Sequence, residues 1–183
     1  MKIYKVLIPM VLAITCIAFR PVDIKKIVAD KKSSSIMYAM KHPLHSFDAS
    51  SKDFKCIAAF DTETRKLSLV AVMVAIKSFN SGNSNRDSHV IENTEALKYP
   101  NVTFSAEDIS YSGETVVAKG KMVFHGVTKP MTITGIQKVA GNKMTLSGNA
   151  EVNMTDFGIK PPSLMGMSTD EIIKLDFMMT FDI

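Results

Sequence analysis

The sequence predicts a mainly β fold, an antiparallel barrel of about eight strands with one short helix between the fourth and the fifth. Three observations carry that expectation. Apolar residues recur at every second position through most of the chain after Ser34, the period of a strand with one buried face. Turn-forming residues punctuate these runs at short intervals: Asp61-Thr62-Glu63-Thr64, Ser112-Gly113, Gly126 with Pro130, and Gly141-Asn142. Only the segment between Ser78 and Pro100 carries helical spacing. Short connections favour antiparallel neighbours. Eight such strands in succession close into an up-and-down barrel, which removes exposed edges.

The chain has 183 residues, the length of one domain plus an appendage. The appendage opens with Lys2 and Lys5, followed by an apolar run from Val6 to Phe19 broken only by Pro9 and Thr15. That run is short of the roughly 20 residues of a membrane span, so residues 1–18 read as a secretory signal peptide; an uncleaved anchor is the alternative. Two processing routes fit. Cleavage after Ala18 would release a soluble protein. Alternatively, Ala13-Ile14-Thr15-Cys16 is a loose lipobox, and a lipidated Cys16 would hold the protein to a membrane. Residues 19–33 are basic and polar without a period and read as a leader or tether. The barrel domain is expected over residues 34–183.

Strands are expected at Ser34–His42, Phe54–Phe60, Lys66–Lys77, Val102–Ile109, Thr115–His125, Pro130–Val139, Lys143–Asn153 and Ile172–Ile183. In Lys66–Lys77, Val70, Val72, Val74 and Ile76 share one face, and Leu67, Leu69, Ala71, Met73 and Ala75 the other. A strand apolar on both faces needs cover on both, and the helix that follows is the natural outer cover. Later strands are one-sided. Met144, Leu146, Gly148, Ala150 and Val152 oppose Lys143, Thr145, Ser147, Asn149 and Glu151. Leu175, Phe177, Met179, Phe181 and Ile183 oppose Lys174, Asp176, Met178, Thr180 and Asp182. The pattern predicts a wholly apolar inside and a polar outside.

The helix has its own signals. Ser84 can cap it, and Asp87, three residues on, can complete a weak capping box. Val90, Ile91, Thr94 and Leu97 fall on one face. Pro100 disfavours the α conformation at Tyr99, so the helix should stop near Lys98.

Composition narrows the function. The net charge is +4, and removal of Lys2 and Lys5 with the signal leaves about +2. No basic tract exceeds a pair and there is no Trp, so nucleic acid is not an expected partner. Thirteen Met residues suit an apolar partner of irregular shape, ordinary core filling, or a compositional bias; Met37 and Met178 fall on outward faces. Cys56 has no intramolecular partner once the signal is processed. It alternates with Phe54, Ala58 and Phe60 and reads as a small buried hydrophobe. The four histidines do not cluster as metal ligands: His42 and His45 flank Pro43, and His89 and His125 lie elsewhere. No catalytic motif occurs, and Ser88 and His89, being adjacent, do not aim at each other on a helix.

Four segments, taken together, resemble the YceI-like family. They are Arg86-Asp87-Ser88-His89 with Lys98-Tyr99-Pro100, the turn His125-Gly126-Val127-Thr128-Lys129-Pro130, the late turn Asn153-Met154-Thr155-Asp156-Phe157-Gly158-Ile159, and the opening from Ser34-Ser35-Ile36 to Lys41-His42. The resemblance spans about residues 33–183. It departs in two places: Met154 stands where the family usually has arginine, and His45–Asp61 is shorter than the family pattern. The resemblance implies a lipocalin-like barrel, secreted across the inner membrane and periplasmic or envelope-anchored. Its lumen would store or transport an isoprenoid or related lipid, such as a polyisoprenoid or isoprenoid quinone, with no cofactor. On the alternation, the lumen lining is expected from Ile36, Tyr38, Met40, Val72, Val74, Ile76, Phe104, Met122, Phe124, Met131, Ile133, Phe177, Met179 and Phe181. Tyr38 is the candidate for a polar contact inside, with Arg86, His89 and His125 at the rim. No catalytic residue and no metal ligand is expected. Two other readings stay open: an envelope structural or interaction protein with a filled barrel, and an enzyme acting through His42, His89 or His125. The oligomeric state is open, a homodimer included.

Overall fold

The computed structural model describes residues 23–164 and 166–183. The expected signal peptide, its Cys16 and residues 19–22 lie outside them. The strands are β1 (Ile24–Val28), β2 (Ser35–His42), β3 (His45–Ser51), β4 (Phe54–Asp61), β5 (Lys66–Ala75), β6 (Asn101–Ser112), β7 (Thr115–Phe124), β8 (Val127–Ala140), β9 (Lys143–Asn153), β10 (Ser163–Leu164), β11 (Met167–Ser168) and β12 (Ile172–Asp182). Among the described residues one α-helix, α1 (Ser84–Asn93), stands between β5 and β6, and 3₁₀ turns occupy Ile76–Ser78 and Met154–Phe157.

Ten strands form one curled antiparallel sheet in the order β1-β4-β5-β6-β7-β8-β9-β12-β2-β3, and β10 and β11 form a separate small hairpin. All eight expected strands are present, and the fold class is the one the alternation predicts. Two strands of the large sheet were not expected, and neither was the β10–β11 hairpin. β1 lies in the segment read as a tether. It pairs with β4 from Ile24–Asp61 to Val28–Ile57, so the sheet begins ten residues before the expected domain start. Of its residues only Ile27 is buried, which explains the missing period: an edge strand can be held by its backbone bonds. β3 returns from β2 across a turn at Pro43-Leu44, with His42 opposite His45. Its inward positions, Phe47, Ala49 and Ser51, are mostly small or polar and give a weak signal.

The barrel therefore closes differently at its two ends. At one end Ala29 bridges to Phe181 of β12, the Ala29 N–H donates to the Cys56 carbonyl at 2.9 Å, and the Asp30 N–H to the Thr180 carbonyl at 2.8 Å. At the other, β3 bridges from Ser50 to Asn80, just beyond β5.

Two β-bulges re-aim side chains. A register shift where Ala59 opposes Leu69 and Phe60 opposes Leu67 leaves Ser68 as the extra residue. A bulge reverses the inside–outside alternation beyond it, so Leu67 is buried with Val70 and Val74 and not on the opposite face. A second shift between Ala106 and Asp108 moves the inward set of β6 from Phe104 and Ala106 to Ile109 and Tyr111. The interior is consequently not wholly apolar. At the end sealed by β1, the Gln137 amide is buried and bonded on both sides. Its Nε2 donates to the Arg65 carbonyl at 2.7 Å, and its Oε1 accepts from the Tyr111 hydroxyl at 2.8 Å. The Leu67 N–H in turn donates to Tyr111 Oη at 2.7 Å. This network forms a floor together with Phe60, Leu67, Met144 and Phe181, all at most 4% exposed.

The helix is also placed differently. Asn83, not Ser84, caps it, its side chain accepting from the Arg86 N–H. Asp87 instead accepts from the Ser81 N–H at 3.1 Å, tying the preceding loop to the first turn. The α-helix ends at Asn93, and a left-handed Glu95 (φ 46°) then turns the chain, so Leu97 points to solvent at 96% exposure and leaves the apolar face expected of it. The helix does not blanket the outer face of β5, where Met73 stays exposed. It lies across the open end of the barrel.

Candidate functional site

The inward faces of β2, β4 to β9 and β12 enclose a cavity of about 200 Å³. Its walls descend from α1 and the loop before β10 to the Gln137 floor. Val90, Asn93 and Thr94 contribute from α1 and its end, Phe79 from the loop before it, and Met154, Ile159 and Pro162 from the stretch after β9. Of the residues expected to line the lumen, Ile36, Tyr38, Met40, Val72, Val74, Ile76, Phe104, Met122, Phe124, Ile133, Phe177 and Met179 all stand on this wall. Met131 and Phe181 do not. Met131 faces inward on β8, but beyond the wall, packed against the edge of the core. Phe181 is fully buried against Met144 beneath the cavity, because β12 runs on past the wall into the floor. Period-2 alternation marks the inward face along a whole strand; it does not say at what depth the space ends.

The same alternation already held Cys56, Val70, Val116, Ala118, Leu146, Val152 and Leu175, which also line the cavity. Phe79, Val90, Ile159 and Pro162 come from loops or from α1, where no strand period could have found them. Met154, where the family resemblance expects arginine, is 1% exposed on the wall, so this part of the mouth carries a thioether and no cation.

Polar groups on the wall are few: Tyr38, Cys56, Asn93, Thr94 and Thr103. The Thr94 hydroxyl is already used, donating to the Val90 carbonyl at 2.6 Å. Burial pushes the Cys56 thiol up to about 12, which keeps it a neutral, inert wall group. Burial likewise pushes the Tyr38 phenol up to about 12, with the Asp87 carboxylate adding to the rise and the Arg86 guanidinium opposing it. The Tyr38 ring packs edge-on against Phe79 at 5.1 Å between centroids. Its hydroxyl is buried and has no hydrogen-bond partner among the described residues.

The rim candidates are not brought together. Arg86 lies over the Phe47 ring at 4.8 Å, joining α1 to β3. His89 is exposed and sits 3.5 Å from Glu92 one turn along the helix. His125 adopts a left-handed backbone (φ 50°), holds the Phe157 carbonyl through Nδ1 at 3.0 Å, and packs edge-on against Tyr99. His42 is buried; its Nδ1 accepts from the Leu44 N–H at 3.2 Å, which leaves Nε2 to donate to the Met167 carbonyl at 3.0 Å. Each of the four has a separate structural partner. No cluster of three or more metal-ligating side chains occurs among the described residues.

Comparison with known proteins agrees with this geometry. A family model described as the YceI-like domain matches residues 28–181. The chain belongs to the YceI-like family. Among curated relatives, a UPF0312 protein of Pseudomonas fluorescens is 29% identical over 134 residues, covering 68% of this chain and 70% of its own. One from Pseudomonas putida is 26% identical over 161 residues, covering 82% and 84%. Three solved structures share the fold. Burkholderia cenocepacia BcnA superposes with a TM-score of 0.75 at 18% identity, over 83% of this chain and 98% of its own. A polyisoprenoid binding domain from Saccharophagus degradans gives 0.68 at 10%, over 87% and 99%. The Campylobacter jejuni YceI protein gives 0.64 at 18%, over 100% and 99%.

Proposed function

We propose that this YceI-like protein is a lipid carrier of the bacterial envelope, exported by its N-terminal signal, that holds an isoprenoid or related apolar chain inside the barrel for storage or transport. The observation that carries the reading is the cavity itself, about 200 Å³ with almost entirely aliphatic, aromatic and thioether walls. Burial of a chain there gains about 0.8 kcal/mol per CH₂, and dry apolar cavities take up apolar ligands. Met40, Met122, Met154 and Met179 on the wall can adjust to an irregular chain. The named ligand of the Saccharophagus domain, a polyisoprenoid, fits the same chemistry. An open lumen also argues against a barrel filled for a purely structural role. His42, His89 and His125, each held by a separate partner, do not compose a catalytic site, so the protein is read as a binding protein that needs no cofactor.

The test is native mass spectrometry of the protein purified from a bacterial host, before and after solvent extraction, and after addition of an isoprenoid quinone. A mass adduct lost on extraction and regained with the quinone is the expected result. A chain that carries nothing and takes up nothing overturns the reading. The same spectra give the mass of the mature N-terminus, and so distinguish cleavage after Ala18 from lipidation at Cys16.

A further inference from the structure

The wall of the cavity is not one continuous ladder. β8 runs from Val127 to Ala140, yet it pairs with β9 only from Thr134–Asn149 to Ala140–Lys143. From there toward the mouth, Val127 to Ile133 pair with β7 alone, and Ala150 to Asn153 pair with β12 alone. No backbone hydrogen bond joins these two lips among the described residues. Pro130, which has no N–H for a second ladder, lies in this stretch. Both lips border the cavity, through Ile133 on one side and Ala150 and Val152 on the other.

The Met154–Phe157 turn closes the seam. Met154, Phe157 and Ile159 are at most 4% exposed, and Met154 and Ile159 line the cavity. The turn is fastened to the β9–β12 side. The Met154 N–H donates to the Glu171 carbonyl at 2.9 Å. The Asn153 side chain accepts from the Thr155 N–H at 2.9 Å and from its hydroxyl at 2.7 Å. The chain beyond is tied to β2, where the Asp170 N–H donates to the Lys41 carbonyl at 2.8 Å. Across the seam one hydrogen bond is made among the described residues: His125 Nδ1 donates to the Phe157 carbonyl at 3.0 Å. Beside it the Phe124 and Phe157 rings stand 5.6 Å apart between centroids. Gly158 follows at φ 72°, a conformation open to glycine.

The size of the cavity gives the seam a use. Its volume of about 200 Å³ is below the roughly 300–1,000 Å³ of pockets that bury small ligands, so an isoprenoid chain needs a wall that yields. A paired strand yields only when its ladder breaks; the seam yields when one hydrogen bond and one ring contact give way. We infer that the lipid enters and leaves through the seam between β8 and the Met154–Phe157 turn, with His125 as the latch. This rests on the carrier reading and adds to it the route of the ligand.

The experiment is stopped-flow fluorescence of the mature protein with phenylnaphthylamine, an apolar probe, followed by its release on mixing with excess farnesol. Wild type is compared with three variants. His125→Gly removes the latch and suits the left-handed backbone of that turn. His125 also packs against Tyr99 and stands 3.6 Å from Glu95, both in the chain that leaves α1. The second variant, Asn153→Ala, therefore loosens the Met154–Phe157 turn from its other end, where the side chain bonds only to Thr155. The third, Asn83→Ala, removes the cap of α1 and loosens the alternative way in, beneath the helix. His125→Gly and Asn153→Ala should each speed uptake by a factor of about three to ten, the weight of one net hydrogen bond. Release should rise no more than uptake does, so the affinity is not weakened. Asn83→Ala should leave both rates as in wild type.

Unchanged uptake in either seam variant would overturn the route. So would acceleration by Asn83→Ala, alone or equally with the other two, which places the way in beneath α1 or in a general loosening of the mouth. Weakened affinity without faster uptake would make the His125 bond a stabilising contact only and overturn the latch. If wild type takes up neither probe nor farnesol at equilibrium, the carrier reading fails and the route with it. If it binds both and the variants match it in every rate, only the route fails.

Discussion

Phe177 and Phe181 sit four residues apart on the inward face of β12, with Met179 between them, and the sequence gives no reason to treat them differently. The structure does. Phe181 is 0% exposed, opposite Met144 and beneath the cavity. Phe177 is half-buried and borders the cavity. Truncation of Phe181 to Ala removes a ring packed on all sides and leaves a new void, so about 3–5 kcal/mol of stability should be lost. For a domain of this size that lowers Tm by roughly 6–20 °C. Phe177→Ala enlarges a space that is already empty and removes a ring that is only partly shielded. About 1 kcal/mol is expected, less than the 1.5–3 kcal/mol of full burial. The ligand readout should divide the other way. Phe177→Ala alters the affinity for a prenyl chain through the lost wall contact. Phe181→Ala, assayed below its lowered Tm, keeps the wall intact. Urea denaturation of the lipid-free protein and displacement of a fluorescent apolar probe measure the two effects. Equal destabilisation by the two substitutions would refute the distinction between wall and floor. So would a binding defect confined to Phe181→Ala.

Three further outcomes follow from the structure. Gln137→Leu should cost about 2 kcal/mol in urea denaturation, because it strands the Tyr111 hydroxyl and the Arg65 carbonyl in the floor; an unchanged midpoint would mean that water replaces the amide there. Gly148→Ala should destabilise the protein and disturb binding. A Cβ at that position would stand 2.5 Å from the Thr134 carbonyl oxygen and 2.9 Å from the Phe177 ring, and neutral behaviour in both assays would contradict the close approach of β8 and β9. Asp61 accepts from the Glu63 and Thr64 N–H groups, and these bonds, that of Thr64 foremost, hold its carboxyl below the ordinary 3.8. The folded pKa is lowered, so the carboxylate's contribution is present above 3.8 and fades as pH falls through the lower folded value. Asp61→Asn should therefore be less stable than wild type near neutrality, with the difference shrinking in acid. A difference that grows below pH 4 would reverse the sign.

Much of the fold was legible because a strand with one buried face writes its period into the chain. The alternation in β2, β4, β7, β9 and β12 gave both the strands and their inward faces. It failed where backbone bonding alone makes a strand. β1 buries only Ile27, and β3 turns mostly small or polar residues inward. It failed again where a bulge changes the count, as at Ser68 and between Ala106 and Asp108. The helix was legible in type and place along the chain. Its cap was misplaced by one residue, and Leu97 was assigned to a face that the turn at Glu95 removes.

By itself the sequence determined the class of fold, the faces of most strands and the membership that the motifs at Arg86–His89 and His125–Pro130 express. These are local properties, set by period, turn chemistry and residue type. Tertiary structure alone decided where the inward face stops being wall and becomes floor. It also decided that α1 crosses the mouth and does not cover β5, that His42, His89 and His125 take separate partners, and that Tyr38 is left with an unmet hydrogen bond. Those depend on how ten strands curl and which ends meet, and closure brings together residues as distant as Ala29 and Phe181. No window along the chain contains that distance.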